Sequence, residues 1–185
     1  MSILNSLKQL DRALLDQGFD ARNAIPPSAS VADIQQLRVF FGDLLPDSLI
    51  EFFRIQDGED YRGTSFAFGE ISGHISPIAD VMSSFEERVS AAQRERGLNT
   101  SNGTYEAVGP VWPHVWNSRW IPFMLRDGWW IIDLDPASGG VVGQIVVQFP
   151  EDQMIRVVAK SLADLFDAQV AGVLRGDRSI EDALE

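Results

Sequence analysis

The chain contains no cysteine among its 185 residues. That removes disulfides, thiolate nucleophiles, zinc ribbons and iron–sulfur ligation together, and it fits a reducing cytoplasm. Histidine is scarce, with two residues, and basic residues are outnumbered, with 15 Lys and Arg against 27 Asp and Glu. No apolar run approaches the roughly 18 residues that a membrane span needs. The first twenty residues hold acids and lack a small-residue cleavage site after an apolar stretch, so they do not read as a signal peptide. No repeat and no low-complexity block interrupts the chain.

The formal charge of −12 repels phosphate backbones and anionic membranes, so neither nucleic acid nor a membrane is an expected partner. A basic protein is the natural one, through electrostatic steering. The acids are uneven. Residues 1–60 carry ten acids and five bases, residues 61–120 six and five, and residues 121–185 eleven and five. Hydrophobic residues make up 45% and charged residues 23%, which describes a globular chain with a substantial core.

Periodicity divides the chain into helices, strands, a helix, strands and a helix. Ile3, Leu7, Leu10 and Leu14 keep a helical stride over 2–17. Ser30 is placed to cap a second helix that Gly42 ends, and a third runs from Pro46 toward Gly58. Phe66, Phe68, Ile71 and Ile75 suggest one or two short strands. Val81, Phe85, Val89 and Ala92 form one stripe of a helix over 79–96. Trp120–Leu125 and Trp129–Leu134 read as a hairpin turned at Asp127-Gly128. Gly143–Phe149 and Met154–Ala159 read as a second, turned at Pro150-Glu151-Asp152. Ser161 and Asp164 open the last helix in a capping-box-like pattern, and residues 176–185 form a tail. This order predicts an α+β fold, with a mainly antiparallel sheet of about five to six strands flanked by helices. One domain spans 1–185, with helix 2–17 and the tail as decorations.

Catalytic readings are weak. His74 and His114 show no metal-ligand spacing, and no nucleophile motif accompanies them. Asp133 and Asp135 could share a divalent cation, but the stronger reading is that they close a strand and organise the turn at Pro136. Gly139-Gly140-Val141-Val142-Gly143 lacks the following helix and the Lys of a phosphate loop, so it is a turn into a strand. No cofactor and no metal is expected. The five tryptophans, Trp112, Trp116, Trp120, Trp129 and Trp130, are mainly core. Adjacent Trp129 and Trp130 must face opposite sides of their strand, leaving one against solvent or covering structure.

Taken in order, Trp116-Asn117-Ser118-Arg119-Trp120-Ile121-Pro122-Phe123, Asp127-Gly128, Ile132-Asp133-Leu134-Asp135-Pro136, Gly139-Gly140, Gly143-Gln144-Ile145 and Val158 to Leu165 resemble the SUKH superfamily. Upstream, Leu45-Pro46-Asp47-Ser48-Leu49, Phe52-Phe53 and Asp57-Gly58 are similar to its first signature. The resemblance runs from about Ser30 to Gly176. It implies a binding protein without a shared catalytic site. Bacterial members are similar to immunity proteins that block a toxin; fungal members are regulatory interaction proteins of cell-wall assembly, usually with long disordered flanks. The lack of such flanks here favours the bacterial reading. The expected function is stoichiometric neutralisation of a cognate toxin, probed through the exposed acidic turn Asp57, Glu59 and Asp60 with Tyr61, together with Asp127 and Trp129 or Trp130. The alternative is a regulatory or scaffold domain. Monomer and homodimer are both open.

Overall fold

The computed structural model describes residues 3–16, 27–58, 66–68, 71–95, 97–101, 105–126 and 128–175. Helix α1 (Ile3–Asp16) is followed by α2 (Val31–Phe41), a one-turn 3₁₀ segment at Gly42–Leu44, and α3 (Asp47–Ile55). The strands β1 (Phe66–Phe68) and β2 (Ile71–Ile75) lead into α4 (Ile78–Arg94). Then come β3 (Glu106–Val108), β4 (Trp120–Arg126), β5 (Trp129–Asp133), β6 (Gln144–Phe149), β7 (Met154–Ala159) and α5 (Leu162–Arg175).

The sheet order is β1-β2-β4-β5-β6-β7-β3. Five strands of five residues or more form its body, and the three-residue β1 and β3 extend its two edges. All pairings are antiparallel except β3 on β7, which is parallel. The fold is therefore α+β, as the sequence pattern predicts. The strand that periodicity did not show is β3. Three residues are too few to display a period of two, and its partner lies far along the chain.

Local chemistry explains the boundaries. The Ser30 hydroxyl accepts the Asp33 amide proton at 3.1 Å, and the Ser161 hydroxyl accepts that of Asp164 at 3.1 Å. Each satisfies an amide that the first helical turn leaves without a partner. Gly42 ends α2 with φ +56°. The third helix stops at Ile55, short of Gly58. Gly58 instead serves a close approach: at φ +75°, a Cβ there would lie 2.5 Å from the Pro77 nitrogen. Pro122 lies inside β4, where a central strand would reject it. The ladder bulges between Pro122 and Met124, and β2 pairs with β4 only from Met124 onward.

Both faces of the sheet are covered. On the first face Phe123, Trp130, Ile132, Ile145 and Val147 pack under α1, α2, α3 and α5. Phe52 of α3 stacks on Phe166 of α5 at 5.8 Å. Ile3 of α1 is buried in this core, and the Ser6 hydroxyl donates to the Asp167 carboxylate of α5. On the second face Trp116, Trp120, Ile131, Val146 and Ile155 form a smaller core. Helix α4 serves both. Its first half places Ile78 and Val81 in the large core, and its second half places Ala92, with Val89 against it, in the small one. It packs along β4, beside the stretch where β2 has already ended.

Candidate protein-binding surface

The second face is roofed by residues 97–101 and 109–119, which contain little regular structure. A roof of that kind has backbone groups to satisfy, and buried side chains on the sheet do so. Gln148 of β6 donates through Nε2 to the carbonyls of His114 (3.2 Å) and Val115 (3.0 Å). Gln144 of β6 donates to the Pro110 carbonyl (2.9 Å), and its Oε1 accepts the Val141 amide proton (3.2 Å). Asn99 bridges within the roof, accepting the Ser118 amide proton at 2.7 Å. Single bridges at Leu98–Trp116 and Ser101–His114 complete it.

Asp133, fully buried at the end of β5, ties these groups together. Its Oδ1 accepts from Trp120 Nε1 (2.9 Å) and from the Asp135 amide (3.0 Å), and its Oδ2 accepts from Gln144 Nε2 (2.9 Å). Burial nonetheless raises its pKa: desolvation outweighs the three hydrogen bonds, and the neighbouring Asp135 charge pushes the same way. Asp135 is exposed, and one of its oxygens accepts from Asn117 Nδ2 at 2.9 Å. The Asp-x-Asp pair therefore organises a turn, as the sequence suggested. Among the described residues no group of three or more His, Asp or Glu could hold a metal ion.

The tryptophans divide as strand alternation requires. Trp130 is buried in the large core, and Trp129 lies half-buried at the margin of the small one. The Arg88 guanidinium of α4 sits 5.1 Å from the Trp116 ring and 5.1 Å from the Trp129 ring. Trp116 also meets Trp120 and Trp129 edge-on, at 5.7 and 6.1 Å. His114 stacks on Trp112 with the rings 5.7 Å apart and 5° from parallel. Burial lowers the His114 pKa against the opposing pull of Asp135, favouring the neutral ring.

Beside polar groups such as Asp135, this frame exposes large apolar side chains. Trp112 is 42% exposed, and Val141 and Val142, on the loop that Gln144 fastens to Pro110, are 50% and 68% exposed. The Gly139-Gly140 turn permits that contact: a Cβ on Gly140 would lie 2.8 Å from the Pro110 carbonyl oxygen. Of the expected site residues, the structure describes Asp57, Trp129 and Trp130. Asp57 is half-buried, and its Oδ1 accepts the Ile78 amide proton at 3.0 Å, capping α4. Trp129 is half-buried on the same face as this frame, at the margin of the small core. Glu59, Asp60, Tyr61 and Asp127 lie outside the described residues. Sequence reasoning did not single out Gln148 or Arg88. Gln148 had a signal, a polar residue within the otherwise apolar run of β6; Arg88 had none, because it shares its helix face with ordinary charges.

A family model described as SMI1 / KNR4 family (SUKH-1) matches residues 28–168. The chain belongs to that family. The matched stretch takes in α2 through the first half of α5, including the whole Asp133 network. A comparison with curated proteins found no match. Family membership fits a protein-interaction role, and among the described residues no helix is long and apolar enough to cross a membrane.

Proposed function

We propose that the protein is a non-enzymatic immunity protein that neutralises a cognate toxin by direct stoichiometric binding in the cytoplasm. The observation that carries this reading is the coincidence of SUKH-1 membership with a net charge of −12. An acidic surface attracts a basic partner and discriminates against acidic ones. Many nucleic-acid-targeting toxins are basic, and an acidic inhibitor can stand in for the charge of their substrate. The buried polar groups of the second face support binding over catalysis, since Asp133, Gln144 and Asn117 use their hydrogen-bonding capacity on one another and on the roof. The contacts we assign to the toxin are Asp57, Glu59, Asp60, Tyr61, Asp127 and Trp129.

Co-expression with the product of the adjacent gene tests the reading. The expected result is that the neighbour alone arrests growth, that this chain restores it, and that the two purify together at equal stoichiometry. Absence of both rescue and a complex overturns it, and would favour the regulatory role of the cell-wall type. Glu59→Lys with Asp60→Lys is the cleaner test of the acidic turn. Charge reversal at Asp57 also removes the α4 cap, so it perturbs folding as well as binding.

A further inference from the structure

The strand β3 is bonded on one side only. It lies at the end of the sheet against β7, and among the described residues no strand pairs with its other side. Glu106, Ala107 and Val108 are all exposed. The Glu106 amide donates to the Gln153 carbonyl at 2.8 Å, so the Glu106 backbone faces β7. In a parallel ladder alternate residues turn their N–H and C=O to opposite sides. The N–H and C=O of Ala107 therefore face outward. Natural sheets guard such an edge by shortness, charge, Pro or a bulge; β3 is short and carries the exposed Glu106, a charge that repels acidic strands but not basic ones. A methyl side chain at the central position leaves the backbone approachable.

We infer that this edge accepts an extended, basic segment of a partner protein as an added strand. Charge decides between occupants. Glu106 adjoins the β6–β7 turn, where Glu151 and Asp152 are both exposed. Arg156, which faces Val108 across the ladder, holds its guanidinium over the Phe149 ring at 5.5 Å. A second copy would bring another chain of charge −12 to the same acidic edge, whereas Lys and Arg flanking an extended segment find opposite charge there. The inference deepens the binding reading above and rests on it for the partner's class.

The probe is a short blocked peptide of alternating Lys and Val, added to the full chain and followed by amide hydrogen exchange and chemical shifts. Binding should protect the Ala107 amide, and a Glu/Val peptide should not. Ala107→Pro deletes the outward N–H while leaving the β3–β7 bonds in place, and should weaken the peptide roughly tenfold or more. Glu106→Lys with Glu151→Lys, both at exposed positions, should do the same without touching the backbone. Peptide shifts that map away from β3, or affinity unchanged by both variants, overturn the inference. So does protection of Ala107 that grows with protein concentration and no peptide, since a second copy would then hold the edge. Peptide binding is read without any toxin, so loss of growth rescue and loss of the edge are separate results.

Discussion

Asp133, conspicuous in the sequence, anchors a hydrogen-bond network in the structure. Its carboxylate accepts three hydrogen bonds, from the Trp120 indole, the Asp135 backbone amide and the Gln144 side-chain amide. Asp133→Asn keeps the shape but sets an amide donor against Gln144 Nε2. Gln144 cannot reverse its amide without losing Val141 and Pro110. The expected loss is about 1–3 kcal/mol, read by chemical denaturation. It should depend on pH. The folded-state pKa is raised above its ordinary 3.8, so the folded protein binds this proton more tightly than the unfolded chain does. Stability from protonated Asp133 is full below 3.8 and is lost as pH rises through the raised folded value. The gap between the native protein and Asp133→Asn should therefore be widest in acid and narrow upward. A gap that widens with pH would show that the hydrogen bonds outweigh desolvation.

Two glycines allow a second residue-scale comparison. Gly58 and Gly139 both have positive φ, +75° and +90°. A Cβ at Gly139 meets nothing within 4 Å, whereas one at Gly58 meets the Pro77 backbone. Gly139→Ala should cost only the strain of the conformation, about 1–2 kcal/mol. Gly58→Ala should cost clearly more, because backbone rather than a mobile side chain must move. Equal shifts in Tm would contradict the packing assigned to Gly58.

Among the elements, α4 is the one whose role was least legible. Its apolar stripe from Val81 to Ala92 is plain in the sequence and correctly marks a helix. The stripe gives no sign that it serves two cores, because a helical wheel records which face is buried and not against what. The answer depends on β2 being short, which leaves one edge of β4 for α4 to cover. Arg88 follows from this. Placed on the half of α4 that overhangs the small core, its guanidinium lies between Trp116 and Trp129. Arg88→Met keeps the stem and removes the cation. It should destabilise by about 0.5–2 kcal/mol and shift tryptophan emission, while Arg94→Met, on an exposed position of the same helix, should do neither. The starts of α2 and α5 were more legible, because Ser30 and Ser161 act through residues three positions away. Ser161→Ala should cost about 0.5–2 kcal/mol, measured by thermal or chemical unfolding.

At the scale of the whole molecule, charge is the dominant property. Association with a basic partner should be fast at low salt and slow by roughly tenfold or more as ionic strength rises over the range where the Debye length shrinks to a few ångströms. Dissociation should change much less. Stopped-flow association that is insensitive to salt would remove steering from the account. The exposed apolar ledge of Trp112, Val141 and Val142 offers a complementary, salt-insensitive contribution, since an exposed tryptophan is a strong anchor once desolvated.

The sequence by itself determined the α+β class, the positions of the five helices and five main strands, the caps at Ser30 and Ser161, and the turn built by Asp133 and Asp135. These follow from periods of 3.6 and 2 and from side chains bonding a few residues away, which are local interactions. The tertiary structure decided the rest: the parallel addition of β3 to β7, the division of α4 between two cores, the Gln144 and Gln148 bonds to a loop more than thirty residues distant, and the role of Asp57 as a cap on α4. Each depends on contacts between segments far apart in the chain, which no local pattern encodes. The Trp- and Gly-rich segment is thus framework that holds the roof of the second face in place, and β3 lies at the edge of the same sheet.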